Sequence, residues 1–313
     1  MDQAPASSRR DMWLHMLLYP GHTLPTAAAP AIVAAGLAFR HEVFAGGPLL
    51  LAFLAGWFIQ LGGVLTDNYE NLTRHPDDRE HPQLVQALRS GALTLSGLRT
   101  AIYACYLAAL LAGAWLLYVA GIPVLAIGLL SIAASWIYSA GPLPLGEHGL
   151  ADPLFFIFFG IVSVVGCYYV QAVPASGSFL KIDLEALPLA AFALGLPIGA
   201  LTTSILVIDD IRDRQFDVVK GKRTVAVRFG PQWSRAEFVG LLVLAYLSPL
   251  ELWLASGFSA WVLLPLLTLP YALSTVRGVL TLNRFQDLVP MTPKAARLLL
   301  GYAVLLAIGI AKG

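Results

Sequence analysis

Asp209, Asp213 and Asp217 recur at every fourth residue within the stretch Asp209-Asp210-Ile211-Arg212-Asp213-Arg214-Gln215-Phe216-Asp217. On a helix this spacing puts the three carboxylates on one face, each about 6 Å of axial rise from the next. A row of like charges is costly unless a cation neutralises it. Hard oxygen ligands on one face suit Mg²⁺ shared with the phosphates of a substrate. The apolar run from Leu194 to Ile208 leads straight into the row, so it stands where a membrane helix meets water. Basic residues follow at Lys220, Lys222, Arg223 and Arg228. They suit the remaining phosphate charge, arginine as a two-pronged donor and lysine as a point charge. The chemistry implied is a metal-bridged diphosphate site at a membrane surface.

A second polar stretch ends an earlier apolar run, in Gln60-Leu61-Gly62-Gly63-Val64-Leu65-Thr66-Asp67-Asn68-Tyr69-Glu70-Asn71. If helix continues through it, Asp67, Glu70, Asn71 and Arg74 line one face at spacings of three and four. Ionisable groups at the end of an apolar helix are functional candidates by default. His75-Pro76-Asp77-Asp78-Arg79-Glu80-His81 comes next, and Pro76 and Pro82 predict an ordered turn over the mouth of the bundle. One charged loop alone is usually a solvated connector. Two such segments, one with a repeated spacing of four, argue for two carboxylate clusters around one cavity, with room for more than one Mg²⁺. His75 and His81 do not match a closed zinc site in ligand number or spacing.

The elements that must position these groups are membrane helices. Mean hydropathy is +0.72, 58% of residues are hydrophobic and 12% are charged, about half the charged share of soluble domains. Apolar runs long enough to cross hydrocarbon are predicted at 23–39, 46–66, 99–120, 122–140, 151–173, 187–208, 236–256, 258–279 and 295–311, the eighth broken by Pro265 and Pro270. The fold class expected is an all-α integral membrane protein, nine helices around a central cavity in a single domain over 1–313, with 1–20 a short cytoplasmic segment. Arg9, Arg10 and the Lys- and Arg-rich connections after helices two, six and eight put the N-terminus and the polar loops in the cytoplasm and the C-terminus outside. A net charge of +1 gives no argument for nucleic acid. Cys105 and Cys167 fall in apolar helices and read as packing residues. No signal peptide is read at the N-terminus. A transporter or non-catalytic lipid-binding protein needs polar groups at mid-membrane. Here mid-membrane offers mainly Gln60, Thr202, Thr203 and Ser204, while the charges stand at helix ends, which favours an enzyme with a one-sided site.

Beyond these spacings, the chain resembles the UbiA superfamily of intramembrane aromatic prenyltransferases over nearly its whole length. The resemblance lies in Thr23-Leu24-Pro25 with Ala29-Pro30, in Tyr138-Ser139-Ala140-Gly141-Pro142-Leu143-Pro144-Leu145, in Gly149-Leu150-Ala151-Asp152, and in Gly166-Cys167-Tyr168-Tyr169-Val170-Gln171. It is strongest in Asp210-Ile211-Arg212-Asp213 with Asp217, and in Gly221-Lys222-Arg223-Thr224-Val225-Ala226-Val227-Arg228-Phe229-Gly230. It implies Mg²⁺-dependent transfer of a prenyl group from a polyprenyl diphosphate to an aromatic acceptor in a bacterial cytoplasmic membrane. The expected acceptor is 1,4-dihydroxy-2-naphthoate in quinone biosynthesis of the menaquinone type, with 4-hydroxybenzoate or another ring as alternatives. Position for position it implies metal ligation by Asp67, Asp213 and Asp217, with Arg212, Lys222 and Arg223 near the diphosphate; the spacing of carboxylates adds Glu70 and Asp209 to the expected metal ligands, and Asp67, Glu70, Arg212, Asp213 and Lys222 are expected to serve the chemistry. Substrate contacts are expected from Asn71, Arg74, Tyr138, Tyr168, Gln171, Asp210, Lys220 and Arg223. The chain departs from the family in its first motif, which typically opens Asn-Asp with a second Asp three residues later. Here Thr66-Asp67 and Glu70 stand in those places.

Overall fold

The computed structural model describes Trp13, residues 23–173, Ile182 and residues 184–313. The expected N-terminal segment with Arg9 and Arg10 lies outside the described residues. Among those described, all regular structure is helical, and nine helices are long and apolar enough to cross a membrane. They are α1 (Thr23–Arg40), α2 (Gly46–Arg74), α3 (Leu95–Ala120), α4 (Ile122–Ser139), α5 (Ala151–Ala172), α6 (Leu189–Lys220), α7 (Pro231–Leu254), α8 (Ala260–Thr281) and α9 (Phe285–Lys312).

Two helices run well past their apolar stretches. α2 continues to Arg74 and α6 to Lys220, carrying both polar segments out on rigid helix. α9 begins ten residues before its predicted start, with a turn at Phe285–Leu288 ahead of Met291–Lys312. α8 opens as 3₁₀ over Ala260–Thr268 and becomes α only at Leu269, as expected where Pro265 and Pro270 withhold N–H donors.

α6 is the hub of the bundle. Its apolar window is 78% buried, against 11% for α4, whose sides face lipid. Lipid offers no hydrophobic force between helices, so close contact of small residues takes its place. A Cβ on Gly160 of α5 would come within 2.5 Å of Gly199 Cα and 2.6 Å of the Gly195 carbonyl on α6. Beside this crossing α5 widens into a π-helical stretch, Phe156–Val162, a distortion common at functional sites. α1, α5, α6, α7, α8 and α9 share one apolar core. A second core ties α2 and α3 to a short helix, Pro82–Arg89, through Leu65, Leu72, Leu84, Val85 and Leu98. That small core anchors the helix that follows the 75–81 loop.

Candidate active site

α2 and α6 end at the same face of the bundle, and their polar ends open onto one cavity of about 910 Å³. Among the described residues, seven carboxylates line it: Asp67, Glu80, Glu147, Asp209, Asp210, Asp213 and Asp217. Two permanent cations stand among them, Arg212 and Lys222. Most of the remaining wall is apolar, with Leu117, Leu125, Leu129, Phe155, Phe158 and Phe159. So many carboxylates around one space carry a large desolvation and repulsion cost unless further cations enter. The donors are hard oxygens, which fits Mg²⁺.

Local geometry explains how each charge is aimed. Arg212 forks onto Asp213, Nε to Oδ1 at 2.7 Å and Nη2 to Oδ2 at 2.5 Å. Its Nη1 reaches Asp209 Oδ1 at 2.5 Å and Thr292 Oγ1 on α9 at 3.0 Å. Arg212 therefore neutralises two members of the carboxylate row. At the end of α6, Gly221 takes the left-handed conformation at φ 75°, and the Lys222 amide bonds back to the Asp217 carbonyl at 3.0 Å. This helix-ending turn folds Lys222 alongside the helix, 3.5 Å from Asp217 Oδ1. Burial works against the Lys222 charge, but Asp67, Asp217, Glu80 and Glu147 outweigh it and hold its pKa above the ordinary value. The ammonium stays protonated. Across the cavity, Ser139 Oγ donates to Asp67 Oδ1 at 2.8 Å, and Tyr138 packs on Phe155 with ring centroids 5.6 Å apart.

The 75–81 loop is pinned to the end of α6. Lys220 Nζ contacts Asp78 Oδ1 at 3.0 Å, Glu80 Oε2 at 2.5 Å and Asn71 Oδ1 at 3.0 Å. Asp78 also accepts from Asn71 Nδ2 at 2.7 Å, from the Glu80 amide at 3.1 Å, and pairs with His81 Nδ1 at 3.1 Å. Burial alone would raise the Asp78 carboxyl, but these hydrogen bonds hold it well below the usual carboxylate range. Burial pulls His81 down, yet Asp78 and Glu80 raise it overall. Asp78, Glu80 and His81 bring ligand atoms within 4.8 Å of one another. Lys220 already contacts both carboxylates of that group and supplies its positive charge.

Eight residues expected from the sequence line the cavity: Asp67, Tyr138, Asp209, Asp210, Arg212, Asp213, Asp217 and Lys222. The others do not. Glu70 pairs with Arg74, one turn on, at 3.0 Å. Arg74 also binds Glu147 at 2.9 Å and so braces the mouth. Asn71 and Lys220 are committed to the loop contacts above. Arg223 is exposed, and its amide bonds to the Glu147 carbonyl at 2.6 Å. Tyr168 and Gln171 lie near the far end of α5. The Tyr168 hydroxyl meets His41 Nδ1 at 2.6 Å, and Gln171 Nε2 donates to the Cys167 carbonyl at 2.7 Å. The helix rise accounts for this: sixteen residues separate Tyr168 from Asp152, about 24 Å along the axis. Glu80, Glu147, Ser139 and Thr292 join the site without having been singled out as ligands. Glu80 alone stands beside a polar motif in sequence; Ser139, Glu147 and Thr292 come from distant stretches that folding brings to the site.

The model of the UbiA prenyltransferase family matches residues 27–288. The 1,4-dihydroxy-2-naphthoate octaprenyltransferase of Escherichia coli (strain K12) is 31% identical over 301 residues, spanning 94% of this chain and 92% of its own. Among solved structures, a UbiA homologue from Aeropyrum pernix K1 superposes with a TM-score of 0.62 at 19% identity, covering 93% of this chain and 97% of that one. A UbiA homologue from Archaeoglobus fulgidus, bound to DMAPP and Mg²⁺, superposes with a TM-score of 0.54 at 14% identity, covering 93% and 99%.

Proposed function

Because the chain belongs to the UbiA prenyltransferase family, we propose that it transfers the prenyl group of a polyprenyl diphosphate to a ring carbon of 1,4-dihydroxy-2-naphthoate, with Mg²⁺, in quinone biosynthesis of the menaquinone type. The observation that carries this reading is the convergence of Asp67 with the Asp209–Asp217 row at the polar mouth of an apolar cavity. The acceptor and the metal are supported by the relatives: the Escherichia coli protein is named for that acceptor, and the Archaeoglobus fulgidus structure holds DMAPP with Mg²⁺. Among the described residues, Lys and Arg crowd the polar end and leave Arg40 and Lys312 at the other. That asymmetry supports a cytoplasmic mouth, an N-terminus inside and a C-terminus outside, in a bacterial cytoplasmic membrane. The whole chain, 1–313, acts as one membrane domain.

Mg²⁺ would be held by Asp67, Asp209, Asp213 and Asp217, joined by Glu80, and when bound it neutralises the diphosphate and eases its departure. Lys222 and Arg212 meet the diphosphate oxygens as the C1–O bond lengthens and its electron pair passes to the leaving group. The electron-rich ring carbon attacks C1. The proton on that carbon is then lost, and the naphthoate carboxylate leaves as CO₂ while a proton takes up the bond's electron pair on the ring carbon it vacates. Phe155, Phe158 and Leu129 wall the reacting carbon from water, which would otherwise quench the allylic cation. The Tyr138 ring offers a cation–π contact to that cation, worth about 0.5–2 kcal/mol.

The test is product formation by the purified protein in nanodiscs, read by mass spectrometry. Farnesyl and longer diphosphates are supplied with 1,4-dihydroxy-2-naphthoate or 4-hydroxybenzoate, with Mg²⁺ or EDTA. A prenylated naphthoquinol formed only with Mg²⁺ is expected. Product from 4-hydroxybenzoate alone would overturn the acceptor, and no product from either would overturn the activity.

A further inference from the structure

The cavity has two unlike walls. Toward α3 and α4 it is lined by aliphatic side chains such as Leu117, Leu125 and Leu129. Toward α1, α2 and α6 it carries a polar corner made by Thr26, Gln60 and Thr202. All three are at least nine-tenths buried. The Thr26 hydroxyl donates to the Thr23 carbonyl at 3.1 Å, so it must accept from Gln60 Nε2, 2.6 Å away. That fixes the amide with its carbonyl free: Gln60 Oε1 is buried and has no partner, and neither has Thr202 Oγ1. A buried polar atom without a partner carries a desolvation cost, and the two residues that hold these atoms both line the cavity. Gln60 is seven residues before Asp67 on α2, and Thr202 seven before Asp209 on α6. Two helical turns keep nearly the same face, so the corner lies about 10 Å deeper than the carboxylates and in line with them.

We infer that Gln60 and Thr202 form the acceptor subsite, where a hydroxyl of the aromatic ring donates to Gln60 Oε1 and accepts from Thr202 Oγ1, while the prenyl tail runs along the aliphatic wall. This deepens the reading above and rests on it for the identity of the ring. The depth suits it: a ring stacked beneath C1 of the prenyl group spans the gap between the diphosphate and the corner. A tail in the same place would leave both polar atoms unsatisfied. Such a site rejects an analogue lacking the hydroxyl much more strongly than an apolar pocket discriminates by size.

The experiment measures equilibrium binding of 1,4-dihydroxy-2-naphthoate to the full chain in nanodiscs under anaerobic conditions. It compares wild type with Gln60→Met and Thr202→Val, which keep volume and remove the polar atoms. Thr203→Val serves as a control, because Thr203 is also buried and unpartnered but does not line the cavity. Each of the first two should raise the Kd about tenfold or more. Thr203→Val should leave it within twofold, and none should alter binding of farnesyl thiodiphosphate. Wild type should bind one of the two monohydroxy-2-naphthoates about tenfold more weakly, and Gln60→Met should erase that difference. Unchanged diol binding in both variants, weaker thiodiphosphate binding in them, or a wild type that does not bind the diol would each overturn the inference. Failure of catalysis is read separately: a wild type that binds the diol with these dependences yet forms no product overturns the activity and leaves the subsite standing.

Discussion

Lys220 looks from the sequence like a diphosphate ligand, but its contacts make it the pin of the 75–81 loop, and Lys220→Met separates the two roles. In the native chain the Lys220, Asp78 and Glu80 side chains are 6%, 1% and 8% exposed. Removing the ammonium leaves two buried carboxylates without their cation, and breaking one buried pair costs about 3–5 kcal/mol. Asp78 keeps Asn71, His81 and the Glu80 amide, which puts the cost near the lower end, ~3 kcal/mol. At 1.36 kcal/mol per tenfold this raises the open population of the loop by about a hundredfold. Hydrogen–deuterium exchange by mass spectrometry on the purified protein reads it directly. The Asp78 amide, bonded to the His75 carbonyl, and the Glu80 amide, bonded to Asp78, should lose about two orders of magnitude of protection. Amides inside α6 should not change. Adding Asp78→Asn removes one stranded charge and should restore part of the protection. Unchanged exchange across 75–81, with only the KM for the prenyl diphosphate raised, would refute the pin and return Lys220 to the substrate.

His81 gives the same loop a pH dependence. Its pKa is raised from 6.5 in the folded chain, so its contribution is complete below that ordinary value and is lost as pH rises through the raised one. Exchange in 75–81, corrected for its intrinsic rate, should therefore increase on the alkaline side, and His81→Gln should remove that step. Asp213→Ala and Asp217→Ala should each abolish prenyl transfer while expression and membrane insertion persist; full activity in both would contradict the assigned row. Tyr168→Phe loses the 2.6 Å contact with His41, should cost about 1 kcal/mol of stability, and should leave both substrates' KM values unchanged in steady-state kinetics.

Much of this architecture is legible in the residues because membrane helices obey few rules. All nine apolar runs appear as helices. The Asp209–Asp217 row falls on one helix because α6 does not stop at its apolar boundary. The first motif was harder to read. Asp67, Glu70 and Arg74 all sit on α2, but spacing does not say whether Glu70 turns to the cavity or to Arg74. In the structure Glu70 turns to Arg74, 3.0 Å away. Glu80 takes part from a loop after Pro76, where no periodicity applies, and its aim depends on the long-range contact with Lys220. Tyr168 and Gln171 share a motif with the family, but the length of α5 separates them from the polar end. The Gln60–Thr202 corner is a different case. Those residues are visible as mid-membrane polar groups, but their shared cavity and missing partners exist only in three dimensions.

The central claim is that both polar segments together hold a metal–diphosphate group, and equilibrium binding of farnesyl thiodiphosphate tests it most directly. Wild type, Asp67→Asn and Asp217→Asn are compared with Mg²⁺ and with EDTA. The account predicts tight binding only with Mg²⁺ and a loss of about tenfold or more in each variant, since each removes an anionic oxygen from one side of the site. Equal binding in EDTA, or full Mg²⁺-dependent affinity in either variant, would contradict it.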